Sequence, residues 1–175
     1  PPDLDVLRRV ISRALASSAA VDHGEEGEAP AKASLVGETP AMVELYKMIG
    51  RLSKNDVPAL FVGEPGTGKS LAIAMLHDSS ARAHEPLLHV DCTLPLSVLE
   101  SMLFGEATGT LHLNDVEALP LALQARLVRA VSDADRAHST ERLRARLLAS
   151  TSTDLVAAVA NGTFRRDLYD IISLI

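Results

Sequence analysis

Gly63-Glu64-Pro65-Gly66-Thr67-Gly68-Lys69-Ser70 is the stretch whose reading decides the fold of this chain. It fits the pattern G-x-x-x-x-G-K-[ST], in which each position has a mechanical task. The glycines let the backbone curl so that its N–H groups converge on phosphate oxygens. Lys69 is placed to reach β- and γ-phosphates, and the Ser70 hydroxyl to hold Mg²⁺. The flanks agree. Val57-Pro58-Ala59-Leu60-Phe61-Val62 is a short apolar run of the kind a buried strand needs. From Lys69 to Asp78, Leu71, Ala72, Met75 and Leu76 recur at helical spacing, so a helix N-terminus faces the phosphates. Gly63 to Leu71 are therefore the candidate nucleotide-binding residues, with ATP and Mg²⁺ as the implied cofactors.

The pattern outside this loop is one of strands alternating with helices. Ala41 to Leu52 reads as an amphipathic helix with Leu45, Met48, Ile49 and Leu52 on one face. Leu87 to Val90 is a strand, Pro95 to Leu103 a helix, and Thr110 to Asn114 a strand. Leu119 to Val131 is a helix and Arg144 to Thr151 a strand. Asp154 is an N-cap candidate for a helix over Leu155 to Ala160. This order predicts an α/β fold: a parallel sheet with helices on both faces. Further upstream, Leu4, Leu7, Val10, Ile11, Ala14 and Leu15 mark one face of a helix, expected over residues 1–20. Residues 21–34, rich in Gly and Glu, read as a solvated linker. No internal repeats are evident.

A phosphate loop needs an acidic partner at the end of a neighbouring strand, to hold the metal shell and polarise water. Thr110-Leu111-His112-Leu113-Asn114-Asp115 is the candidate. Asn114 can accept a bond from a metal-bound water but brings no charge. Asp115 brings a carboxylate and is the candidate general base. Ser70, Asn114 and Asp115 are thus the candidate metal residues. Glu117 is a further acidic side chain close by.

Bulk properties narrow the function classes. The chain has 175 residues, 47% hydrophobic and 3% aromatic, with a formal charge of −6. Its core must be built from Leu, Val, Ile and Ala. The acidic balance argues against a nucleic-acid footprint within this segment. Arg136, Arg142, Arg144 and Arg146 read as a solvated face. One cysteine, Cys92, excludes an internal disulfide and fits a reducing cytoplasm; it reads as a small core residue. The histidines lack metal-ligand spacing, and His112 reads as a packed or hydrogen-bonded side chain. No apolar run approaches a membrane span, and no signal peptide is expected. The chain lacks an initiator Met and stops inside an apolar helical pattern, Asp167 to Ile175, so it reads as a fragment.

From Leu35 onward the sequence resembles the AAA+ domain of sigma-54-dependent transcription activators, most closely NtrC-like response regulators. Leu35-Val36-Gly37-Glu38-Thr39-Pro40-Ala41-Met42 resembles the family's entry segment beside the adenine, which implies Val36 and Gly37 as further nucleotide contacts. Ile49-Gly50-Arg51-Leu52-Ser53 is NtrC-like. Leu99-Glu100-Ser101-Met102-Leu103-Phe104-Gly105 resembles L-E-S-E-L-F-G. Pro120 to Arg129 resembles the helix after the acidic strand, and Gly162-Thr163-Phe164-Arg165-Arg166-Asp167-Leu168-Tyr169 resembles G-x-F-R-x-D-L-Y. The resemblance implies a P-loop NTPase of the AAA+ class over residues 35–175, ending before the helical lid. It implies that the first helix closes a receiver domain and that a DNA-binding domain lies outside this chain. It implies self-association as a dimer or ring, with Arg165 reaching a neighbour's nucleotide.

The departures shape the expected function. The family's G-A-F-T-G-A loop, which grips the sigma factor, has no counterpart: Phe104-Gly105-Glu106-Ala107-Thr108-Gly109-Thr110 runs straight into the acidic strand. The stretch between Val131 and Arg144 is shorter and lacks the Val-Gly-Gly turn. The acidic Asp-Glu pair is Asn114-Asp115. The family's Asn before Cys, which restrains its catalytic Glu, is Asp91, and its sensor Asn is Ser152. The second arginine position is Ile171, which cannot stabilise transition-state charge. The expectation is a nucleotide-binding regulatory domain with impaired hydrolysis and sigma-factor remodelling. An active ATPase that activates sigma-54 polymerase and a decayed non-binding spacer are the alternatives.

Overall fold

The computed structural model describes residues 39–105, 107–132 and 143–173. The expected first helix, the linker, Val36, Gly37, Arg136 and Arg142 lie outside the described residues. In chain order the elements are α1 (Pro40–Leu52), β1 (Ala59–Val62), α2 (Lys69–Asp78), β2 (Leu87–Asp91) and α3 (Leu96–Phe104). Then come β3 (Thr110–Asn114), a 3₁₀ turn (Val116–Ala118), α4 (Leu121–Ser132), β4 (Arg146–Thr151), α5 (Leu155–Ala160) and α6 (Arg166–Ile172).

Local chemistry sets most of these boundaries. Thr39 caps α1, its hydroxyl oxygen accepting from the Met42 N–H at 3.3 Å, and Pro40 supplies a helical φ at the first position. Asp154 caps α5 as expected, its Oδ1 accepting from the N–H groups of Val156 (2.8 Å) and Ala157 (3.2 Å). Three starts lie two residues beyond expectation, and the other differences up to α5 are of one residue. β1 starts at Ala59, because Pro58 has no N–H and the Val57 carbonyl is turned to Arg146. α4 starts at Leu121, because a residue before proline is pushed out of the helical region, and Leu119 is extended. β4 starts at Arg146, whose N–H donates to the Gly109 carbonyl at 2.8 Å.

The four strands are parallel in the order β1-β4-β3-β2. Alternation divides the sheet into two faces. Leu111, Leu113, Leu147, Ala149 and Val90 point to one, where α3, α4 and α6 contribute Leu99, Leu103, Leu123, Leu127, Leu168 and Ile172. Ala59 and Leu148 point to the other, against Ile49 and Leu52 of α1 and Ala72, Ile73 and Leu76 of α2. That second face also carries the buried polar residues Thr110, His112 and Ser150. His77 of α2 bridges to it, with Nδ1 2.9 Å from the Thr110 hydroxyl and Nε2 3.0 Å from the Glu85 carbonyl.

Arg146 corrects the reading of the arginines as one solvated face. It is 2% exposed, and its guanidinium donates to the carbonyls of Leu52 (3.0 Å) and Val57 (3.3 Å). A guanidinium fork can donate to two carbonyls at once, here that of Leu52 at the end of α1, which also accepts from the Asn55 N–H at 3.2 Å, and that of Val57 just before β1. Arg144 alone of the described pair stays exposed.

Candidate functional site

Parallel strands deliver all their C-terminal ends to one edge, where open α/β sheets place their sites. Here that edge carries the loop after β1, Asn114-Asp115 at the end of β3, and Ser152 after β4. The loop is held from behind: the Gly63 N–H donates to the Thr151 carbonyl at 3.2 Å. Gly66 and Gly68 have φ of +80° and +88°, values an L side chain rarely adopts. Gly68 is the N-cap of α2, so the N–H groups of Lys69, Ser70 and Leu71 begin the helix without intrahelical partners. A helix terminus of this kind offers its free N–H groups to anions. Lys69 is folded over its own loop, its Nζ donating to the carbonyls of Gly63 (2.7 Å) and Glu64 (2.9 Å). The Thr67 hydroxyl also donates to the Glu64 carbonyl, at 2.8 Å.

A cleft of about 460 Å³ joins these groups, lined by Pro65, Gly66, Gly68, Lys69, Ser70, Leu71, Asn114, Asp115 and Ser152. The two halves that the sequence keeps far apart thus face each other across one space. Gly63, Glu64 and Thr67 do not line it; they shape the loop from its outer side. Asp115 takes a left-handed conformation (φ 52°, ψ 54°), which a short polar side chain tolerates. Asn114 Nδ2 donates to Asp115 Oδ2 at 2.9 Å, and the Ser150 hydroxyl donates to Asn114 Oδ1 at 3.1 Å.

Other candidates are placed elsewhere. Glu117 does not line the cleft, and its Oε2 is buried without a partner. Asp91 closes its own turn, its Oδ1 accepting from the Thr93 N–H (2.9 Å) and hydroxyl (2.6 Å). Arg165 does not line the cleft; it sits at the start of α6 in a two-bond pair with Asp167, at 2.9 and 2.7 Å. Ile171 packs against the core. Cys92 is 1% exposed, and burial followed by the charges of Asp91, Glu117 and Asp115 pushes its thiol up to about 12. A larger opening of about 870 Å³ lies at the other end of the strands, beside Asp56, Arg82 and Arg146. Its Arg82 is already paired with Asp56 (2.9 Å) and Glu85 (3.2 Å), while Arg146 keeps one buried guanidinium nitrogen, Nη1, without a partner.

A family profile for the sigma-54 interaction domain matches residues 36–175. The chain belongs to the sigma-54 interaction domain family. Among curated relatives, it is 33% identical to the response regulator protein PilR of Pseudomonas aeruginosa, over all of this chain and 44% of that protein. It is 30% identical to the DNA-binding transcriptional regulator NtrC of Escherichia coli, over all of this chain and 43% of that one. The chain therefore spans less than half the length of these relatives. Among solved structures, NtrX from Brucella abortus in complex with ATP superposes with a TM-score of 0.71 at 29% identity, over all of this chain and 45% of that one. The same NtrX with ADP gives 0.73 at 29% identity, over all of this chain and 42% of that one. The sheet and its helices are those of a P-loop NTPase domain of sigma-54-dependent AAA+ activators. Among the described residues no helix is long and apolar enough to cross a membrane.

Within this family domain, sequence reasoning missed two side chains. Ser150 holds Asn114, and Gln124 ties α4 to the start of α6. Gln124 is fully buried, donates to the Leu119 (2.7 Å) and Thr163 (3.3 Å) carbonyls and accepts from the Arg165 N–H at 2.8 Å. The available signal was polarity in the wrong place: a Ser inside an apolar strand and a Gln on a helix's apolar stripe.

Proposed function

We propose that this domain binds Mg-ATP in the cleft as the nucleotide-sensing part of an NtrC-like transcriptional regulator, hydrolysing it weakly or not at all. The observation that carries the reading is the first turn of α2, with Lys69 and Ser70, facing Asn114 and Asp115 across one cleft. The donor set fits the cation. Mg²⁺ keeps several waters and takes one or two carboxylates besides phosphate oxygens. Ser70 would supply a hydroxyl, Asp115 a carboxylate, and Asn114 an acceptor for a bound water. The ATP-bound relative NtrX supports the choice of nucleotide.

Weak hydrolysis follows from the acidic end. One Asp115 oxygen is occupied by the Asn114 amide, and among the described residues no second carboxylate lines the cleft. Polarising a water needs a carboxylate within hydrogen-bond reach. Remodelling of a sigma factor is disfavoured because α3 ends at Phe104 and β3 begins at Thr110, leaving no room for a gripping loop. The output is then nucleotide-tuned self-association, with Arg165 on the surface where a neighbouring copy's nucleotide could reach it. DNA contact belongs to other parts of the protein.

Titration with a fluorescent ATP analogue in Mg²⁺ tests the reading. Saturable binding lost in Lys69→Ala is expected, with phosphate release no faster than in Asp115→Ala. Absent binding would favour a spacer. Steady phosphate release abolished by Asp115→Ala would favour an active ATPase.

A further inference from the structure

We propose that His112, backed by His89 and acting through Ser150, is a positioning residue that locks the Asn114 amide against Asp115. The inference deepens the nucleotide reading, since its consequence is felt at the candidate Mg²⁺ site. Four contacts form one chain across the sheet. His89 Nδ1 lies 2.9 Å from His112 Nδ1, and His112 Nε2 lies 2.8 Å from the Ser150 hydroxyl oxygen. Ser150 Oγ lies 3.1 Å from Asn114 Oδ1, and Asn114 Nδ2 lies 2.9 Å from Asp115 Oδ2.

The direction of every link follows from the last one. A carboxylate only accepts, so Asn114 must turn its NH₂ to Asp115 and its carbonyl oxygen to Ser150. Ser150 has one hydroxyl proton, and it is spent on that carbonyl. Ser150 must therefore accept from His112, which fixes the proton on Nε2. A neutral His112 then has a bare Nδ1, and His89 must donate to it. Among the described hydrogen bonds the His112 ring meets His89 and the Ser150 hydroxyl, neither of them a carboxylate that would hold a second proton on it. All four bonds point the same way and end on a negative charge, the arrangement in which hydrogen bonds polarise one another. The chain transfers no proton, because a carboxamide donates and accepts but does not relay one. Its effect is geometric. The Asn114 carbonyl is kept from flipping, Asp115 Oδ2 stays occupied, and Oδ1 is the oxygen left for the cleft.

Register brings this about. His89, His112 and Leu148 pair side by side in β2, β3 and β4. Ser150 and Asn114 follow two residues later on the same face. A merely packed polar cluster would need the same burial but no particular tautomer and no link to metal binding.

Nitrogen-15 NMR of the histidine rings in the whole chain tests the direction without any substitution. A proton on His112 Nε2, a bare His112 Nδ1 and a proton on His89 Nδ1 are expected. A protonated His112 Nδ1 would overturn the proposal. His112→Phe and Ser150→Ala should each shift the Asn114 side-chain amide resonances. Each should also reduce, several-fold, the gain in ATP-analogue affinity that Mg²⁺ confers, with Mg²⁺-free binding unchanged. The double variant should be no worse than either single one, because both remove the same link. His112→Gln, which returns a donor near the Nε2 position, should restore both readouts. Unmoved Asn114 resonances in both variants would sink the idea. If no nucleotide binds at all, the functional reading fails while the ring and amide resonances still decide this one.

Discussion

At His112 burial opposes the charged imidazolium, with His89 adding a smaller effect of the same sign, and the pKa is held down to about 4. In the unfolded chain the same ring titrates at its ordinary value near 6.5. Between those values the unfolded state binds a proton that the folded state refuses. Stability is therefore complete above about pH 6.5 and drains as pH falls toward 4, by on the order of 3 kcal/mol. His89 is lowered too, by burial and then by His77, so it adds to the same acid limb. Urea denaturation at pH 7 and pH 5 should show about 2 kcal/mol of this loss, and His112→Phe should flatten it. A chain whose stability is equal at the two pH values contradicts the buried neutral ring. Cys92 gives a second test at this scale. With its thiol pushed up to about 12 and 1% exposed, it stays protonated and shielded at pH 8. Native protein should resist iodoacetamide at pH 8, and urea should release normal thiol reactivity. Rapid native labelling would mean that this part of the core opens readily.

The elements around the cleft are fastened by side chains that cross between them, and Gln124 is the clearest case. It joins α4 to the end of the 3₁₀ turn, to Thr163 and to the N–H that begins α6. Gln124→Leu keeps the volume but strands a buried N–H and two carbonyls. Each unsatisfied buried group costs roughly 1–3 kcal/mol, and partial rehydration makes a total of about 2–4 kcal/mol reasonable. A lowered urea midpoint with unchanged slope is expected. A loss below about 0.5 kcal/mol would show that water replaces the glutamine without penalty. The helices themselves were legible because their signals are local. α2 and α5 have the expected bounds, fixed by Gly68 and by the Asp154 cap, as β3 has between Gly109 and Asp115. The start of α4 was misjudged because the apolar period runs through Pro120, while the proline's effect on Leu119 is steric and outweighs periodicity.

For the whole molecule, ligand binding and folding are one equilibrium. A nucleotide bound only by the native state stabilises it by about 2.7 kcal/mol at a concentration 100 times its Kd. Saturating Mg-ATP should therefore raise the melting temperature by several degrees, and Lys69→Ala should abolish the rise. A melt indifferent to Mg-ATP would speak for a spacer. The amino-acid sequence by itself determined the phosphate loop, the helix behind it, the alternation of strands with helices and the acidic strand end, because each depends on neighbours within a few turns of chain. It also pointed to the family, through motifs spread over residues 35–175. Tertiary structure alone decided which distant side chains meet. Parallel register sets His89, His112, Ser150 and Asn114 in a row ending on Asp115, and packing draws Arg146 from the surface to the carbonyls of Leu52 and Val57. Neither could be read from sequence, because a hydrogen bond between strands depends on register and burial, which are properties of the assembled sheet rather than of any one segment.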